Sequence, residues 1–225
     1  VIPYASSREI FHMFYHTSVV STPEGDKEFS EPQYDETTLP SKLFLTWNRR
    51  FRKHRTCLAL LLEKHNLIED QRNPDDQIIR LYQYHDLHIE EEVAQRFANR
   101  CPLIIDGETD INKMCEDYGF TQPYYKDTLV SLITETNYNQ NECTLTEKTF
   151  KPMYNKHPLI IIGVPGSLQG LRDLGFQTFS EFWSEEYDMI IDPAHRLQAI
   201  ETVLLQIASW TPDQILDFKR RVKPI

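Results

Sequence analysis

The stretch SLITETNYNQNECTLTEKTFKPMYNKHPLIIIGVPGSL, residues 131–168, constrains this chain more than any other part of it. An apolar run from Ser131 to Thr134 reads as a buried strand and ends on a carboxylate, Glu135. A polar loop follows, and Thr146-Glu147-Lys148 opens a helix. A second apolar run, Leu159 to Ile162, leads into Gly163 and Gly166. Polar groups gathered where strands end and helices begin mark the ligand crevice of an open α/β sheet.

The rest of the chain repeats the alternation of strand and helix. Lys42 to Trp47 reads as a strand, and Arg55 to Leu67 as a helix carrying Leu58, Leu61, Leu62 and Ile68 at helical spacing. Gln77 to Tyr84 alternates like a strand, Ile89 to Arg100 reads as a helix, and Leu103 to Ile105 is a short apolar run. After Gly166 the pattern predicts a short helix over 167–174 with Gly175 as a left-handed cap. Gln177 to Phe179 reads as extended. Asp192-Pro193 starts a long helix to about Trp210, and Thr211-Pro212-Asp213 caps a last one ending near Val222. The expected fold class is α/β, a three-layer, mostly parallel sheet. Residues 1–41 form an N-terminal segment and linker, rich in Pro23, Gly25, Pro32 and Pro40 from residue 21 onward, and 42–225 form the α/β domain.

A chain of 225 residues can bury a substantial core. Its net charge of −10 disfavours a general nucleic-acid binder, which needs a basic face, but leaves room for a local pocket for one diphosphate. No apolar run is long enough to span a bilayer, and no signal peptide is visible. The four cysteines, Cys57, Cys101, Cys115 and Cys143, are far apart and read as reduced thiols of a cytoplasmic chain. Beginning at Val1, the chain reads as a shortened protein or a domain of something longer.

Two constellations could carry chemistry. Asn48-Arg49-Arg50-Phe51-Arg52-Lys53-His54-Arg55 places five cationic residues between a strand end and a helix start, which suits a phosphate; the plain alternative is a solvated basic loop. Lys148 at a helix start runs against the helix dipole, and a bound diphosphate would resolve the conflict. Glu135 and Glu147 could accept hydrogen bonds from sugar hydroxyls, although Thr146 to Lys148 could equally be an ordinary helix cap. Asp106-Gly107-Glu108-Thr109-Asp110 reads as a turn with solvated acids, and no metal site is expected. The eight histidines show no metal-ligand spacing.

Residues 131–166 resemble the donor-binding segment of α-1,3-fucosyltransferase-type GT-B glycosyltransferases. Glu135 stands where that family has the glutamate of Glu-Asn, with Thr136 intervening before Asn137, and Thr146-Glu147-Lys148 matches the family's Thr-Glu-Lys. The chain is also similar to phage and bacterial glycosyltransferase-like proteins through Asn48 to Arg50, Thr146 to Pro152 and Leu171 to Phe179. The resemblance covers roughly 42–200 and is specific over 131–179.

It implies a Rossmann-like nucleotide-sugar-binding domain of a metal-independent, inverting glycosyltransferase, viral or bacterial in kind. The donor would be GDP-, UDP- or dTDP-linked, with no cofactor. Asn48, Arg49, Arg50, Arg55, Glu135, Asn137, Thr146, Glu147, Lys148, Gly163 and Gly166 would line its site. A complete GT-B enzyme carries its acceptor and base mainly on a second domain. Only 41 residues precede the α/β unit, so the acceptor domain is expected to be missing from this chain, reduced, or supplied by a partner subunit, with His12 or His16 as candidates for the base. The competing readings are a non-catalytic nucleotide-binding or assembly domain and a phage DNA-modifying glycosyltransferase. The acidic balance weighs against the DNA acceptor.

Overall fold

The computed structural model describes residues 35–46, 48, 52–68, 89–100, 124–140 and 142–222. His12, His16, Arg49, Arg50, the strand expected over 77–84, the run at 103–105 and the acidic turn at 106–110 lie outside the described residues.

Within them the chain is mixed α/β around a parallel sheet of three strands, β1 (Lys42–Thr46), β2 (Thr128–Thr134) and β3 (Leu159–Ile162), in the order β1-β2-β3. Thr46 pairs with Leu132, and Thr134 with Ile162, so all three strands end on the same side. Every residue of β3 is buried, and so is β2 from Leu129 onward. Continuous apolar runs of this kind are what a parallel strand covered on both faces requires. In β1 only Leu45 is buried, and Leu43, Phe44 and Thr46 are half-buried. Among the described residues β1 has a strand neighbour on one side alone, and Lys42 is its exposed residue, while Leu43 and Phe44 pack partly buried against the core.

Eight helical segments accompany the sheet among the described residues: α1 (Lys53–Lys64), α2 (Glu91–Arg100), α3 (Tyr124–Asp127), α4 (Glu147–Tyr154), α5 (Ser167–Asp173), a 3-10 turn (Glu186–Met189), α6 (Pro193–Ala208) and α7 (Pro212–Arg221). α1 starts two residues before its expected beginning and is buried almost all round, from His54 to Glu63 apart from Ala59. It ends early because Asn66 turns left-handed (φ 55°), with Asn66 N–H on Glu63 O and Leu67 N–H on Leu62 O. That pair of bonds satisfies the last carbonyls and stops the helix. Gly175 (φ 92°) ends α5 in the same manner, in the role its position in the sequence suggests. Asp192 and Thr211 cap α6 and α7 through side-chain acceptors, each followed by proline at the first helical position. The segment 177–179 is irregular rather than extended.

The buried core joins Leu58 and Leu61 of α1, Leu132 of β2, Ile160 of β3, and Leu197 and Ile200 of α6. Each such side chain contributes roughly 1.5–3 kcal/mol by leaving water. His157, between α4 and β3, is buried at the opening end of the sheet. Its Nε2 donates to Thr128 O at 2.9 Å, and its Nδ1 accepts from Ser131 Oγ at 2.8 Å, tying the entry of β3 to β2. At the chain's other end, Lys219 Nζ of α7 donates to Thr38 O at 2.6 Å, holding the segment before β1 against the last helix.

Candidate functional site

Because the strands are parallel, their carboxyl ends form one rim, and the elements named from the sequence meet there. Asn48, just past β1, donates to Thr46 Oγ1 (3.1 Å) and accepts from Thr134 Oγ1 (2.5 Å), bridging β1 to β2. Arg55 is buried, and its Nη2 reaches Thr134 O at 3.2 Å. The next carbonyl, Glu135 O, accepts from His54 Nε2 at 2.9 Å. The basic junction and the Thr-Glu-Lys junction therefore converge on the end of β2. Arg55 uses its guanidinium to anchor that strand end, a structural duty that the charge pattern alone did not suggest. Arg52, the residue before α1, is exposed; no side chain caps this helix, and no acid lies in its first turn.

Glu135 is 1% exposed, and its carboxylate is held entirely by protein donors. Oε1 accepts from Thr146 N–H (2.9 Å) and Thr149 Oγ1 (2.6 Å). Oε2 accepts from Thr146 Oγ1 (2.7 Å) and Thr136 N–H (3.3 Å). A buried carboxylate survives without a counter-ion when its lone pairs meet donors of this kind, here at the positive end of α4. The sugar-hydroxyl role expected for Glu135 is thus taken up by Thr146 and Thr149, which occupy its oxygens. Thr149 carried a readable signal, a hydroxyl three residues past the helix cap.

Lys148 stands on the outer side of this network, about a third exposed. Its Nζ donates to Glu147 Oε1 (2.9 Å), Thr146 Oγ1 (3.0 Å) and Thr136 Oγ1 (3.5 Å). Burial pushes the Glu147 carboxyl up, but the hydrogen bond and charge of Lys148 outweigh it and hold the group below the ordinary carboxylate value. A chain of contacts thus runs from Glu135 through Thr146 to Lys148 and Glu147. Thr146 also caps α4 by accepting from Lys148 N–H, so the ordinary-cap reading and the site reading describe the same residue.

The two glycines have structural work. Gly166 adopts φ 83°, and its N–H donates to Asp188 O at 2.8 Å. The first N–H groups of α5, Leu168 and Gln169, donate to the two carboxylate oxygens of Asp188 at 2.9 and 3.2 Å. Asp188 therefore fills the place at this helix start that a phosphate would need. At Gly163 a Cβ would sit 2.6 Å from Ser167 Oγ, which is itself bonded to Val164 O. The glycine turn brings β3 close to α5 rather than cradling an anion.

Asn137 Nδ2 donates to Thr144 Oγ1 at 3.3 Å, closing the loop between β2 and α4. Tyr138 follows it, and the sequence reading missed its role. Its ring stacks on His54 (centroids 4.9 Å apart, planes 12° apart) and lies under the Arg196 guanidinium at 4.1 Å. Arg196, 1% exposed, donates to Ile190 O, Ile191 O and Tyr138 O. An arginine in the first turn of a capped helix gives no hint of this from sequence, because its partners are backbone carbonyls, two just before the helix and one on Tyr138, 58 residues away. Burial, together with the charges of Arg55, Arg52 and Arg196, pushes His54 down to about 4 despite its bond to Glu135 O. His54 is therefore neutral near pH 7.

Among the described residues, no group of three or more histidine, cysteine or acidic side chains could hold a metal ion, and no helix is long and apolar enough to cross a membrane. Among the described residues, Cys57 and Cys143 are in no disulfide. Comparison with protein-family models, curated proteins and solved structures finds no match for the chain.

Proposed function

We propose that this chain is the donor-binding half of a GT-B-like, metal-independent glycosyltransferase, a Rossmann-like unit that holds a nucleotide-sugar at the carboxyl rim of its sheet. The observation that carries the reading is the position of Lys148. Its ammonium is partly exposed at the start of α4, beside the end of β2, where the α1 junction with Arg52 also arrives. In an open α/β sheet this rim is where ligands bind. A diphosphate there would meet the Lys148 ammonium and the uncapped start of α1. Glu147 is the carboxylate left to accept ribose or sugar hydroxyls, since Glu135 is saturated by protein donors. The resemblance over residues 131–179 supports the same assignment.

In the proposed inverting reaction, an acceptor hydroxyl oxygen attacks the anomeric carbon as the bond to the diphosphate oxygen breaks. Cations at the rim stabilise the charge gathering on the leaving diphosphate. A base takes the hydroxyl proton; it would come from outside the described residues, from the N-terminal segment or a partner. A non-catalytic nucleotide-binding domain is the second reading. It is favoured by the engagement of both rim carboxylates, Glu135 with Thr146 and Glu147 with Lys148.

A thermal-shift screen against GDP, UDP, dTDP and CMP with their sugars tests the binding claim. A ligand at 100 times its dissociation constant adds about 2.7 kcal/mol of apparent stability. Release of nucleoside diphosphate from the best donor distinguishes the transferase from the binding domain. No shift with any nucleotide contradicts both.

A further inference from the structure

The Lys148 ammonium has three N–H groups, and three oxygens accept from them: Glu147 Oε1, Thr146 Oγ1 and Thr136 Oγ1. An anion reaches this ammonium by displacing one of the three. Thr146 is pinned by two hydrogen bonds to the buried Glu135. Thr136 lies at the longest distance, 3.5 Å, and carries no charge to compete with an anion. Glu147 is the most exposed of the groups, its side chain half open to solvent, and a solvent-exposed ion pair is weak and readily exchanged. A carboxylate left beside an arriving diphosphate would also repel it.

We infer that Glu147 changes partners on binding: the diphosphate takes Lys148, and the released carboxylate accepts the ribose hydroxyls of the same ligand. This rests on the nucleotide-sugar reading above and adds to it a coupling between the two ends of the ligand. With no ribose present, Glu147 is a built-in competitor for the cation. With ribose present, the displaced carboxylate gains two new donors. The site therefore discriminates against free pyrophosphate, inorganic phosphate and other small anions through one side chain.

The test is titration calorimetry of wild type and Glu147→Gln with three kinds of probe: inorganic pyrophosphate, the ribonucleotides GDP and UDP, and their 2′,3′-dideoxy analogues. The substitution is on an exposed residue and keeps the side chain's size. The device predicts opposite signs. Pyrophosphate binds Glu147→Gln about two- to fivefold tighter, the scale of an exposed ion pair. The better-binding ribonucleotide binds it about tenfold or more weaker, the scale of a hydrogen bond to a charged group. Wild type prefers the ribonucleotide over its dideoxy analogue, and the variant loses that preference. If both ligands shift in the same direction, or neither shifts, the exchange is overturned while the donor site stands. If wild type binds pyrophosphate but discriminates nothing by ribose, the exchange is likewise overturned. If wild type binds none of the probes, the donor site itself fails and the exchange falls with it.

Discussion

The Glu135 carboxylate grips Thr146 twice, taking its backbone N–H at 2.9 Å and its hydroxyl at 2.7 Å. This clasp fixes the start of α4 to the end of β2. Glu135→Gln replaces an acceptor with an amide that faces donors, so at least one of the four bonds is lost. The expected cost is about 1.5–3 kcal/mol, the range for hydrogen bonds to a charged group. Urea denaturation of wild type and variant measures it. A change under about 0.5 kcal/mol would mean that the clasp does not hold the junction.

His54 and His157 make stability depend on pH. Burial is the main cause in both, and each sits at about 4 in the folded chain against 6.5 for an ordinary histidine. The unfolded chain binds more protons between these values, so stability falls as pH drops from about 6.5 towards 4 and is fully present above that window. Each histidine can contribute up to about 3 kcal/mol, since one pKa unit is worth about 1.4 kcal/mol. Urea midpoints at pH 7.5, 6.0 and 4.5 should decline in that order. His157→Gln should lower stability at pH 7.5 and flatten the decline. A midpoint constant across this range contradicts the burial of both rings.

The two glycines separate a structural turn from a phosphate cradle. Around Gly166 a Cβ meets nothing within 4 Å, so Gly166→Ala carries only the strain of φ 83°, about 1–2 kcal/mol. At Gly163 a Cβ would strike Ser167 Oγ and drive it off Val164 O. Gly163→Ala should therefore cost about 1–3 kcal/mol, and adding Ser167→Ala should recover part of it. Chemical denaturation of the three variants checks this. No recovery in the double variant would show that the close approach to Ser167 is not what requires glycine.

The elements that were legible in sequence are those whose signals are local. The runs LIT before Glu135 and LIII at 159–162 name the central strands, and Asp192-Pro193, Thr211-Pro212 and Gly175 mark helix ends through the chemistry of caps. The candidate site was legible only as a place. Sequence brings Asn48, Arg55 and Lys148 to one rim, because each follows or precedes a strand end. It does not say that Arg55 turns inward to Thr134 O, that Glu135 is consumed by Thr146 and Thr149, or that Asp188 occupies the start of α5. Those outcomes depend on contacts between residues 11 to 79 positions apart, which no local spacing records. The stack of Arg196, Tyr138 and His54 was unreadable for the same reason.

The account depends most on Lys148. Its ammonium is partly exposed and its partners are hydroxyls and one neighbouring carboxylate, so Lys148→Ala should change stability by no more than about 1 kcal/mol. It should nevertheless cost about 1.5–3 kcal/mol of binding, roughly ten- to hundredfold in affinity. The decisive measurement is titration calorimetry of wild type and Lys148→Ala with the nucleotide-sugar that stabilises wild type most, alongside a denaturation curve of each protein. The account predicts a folded variant that has lost this affinity. A folded variant that binds the nucleotide-sugar as tightly as wild type would reduce Lys148 to a surface residue and contradict the donor site at the end of β2.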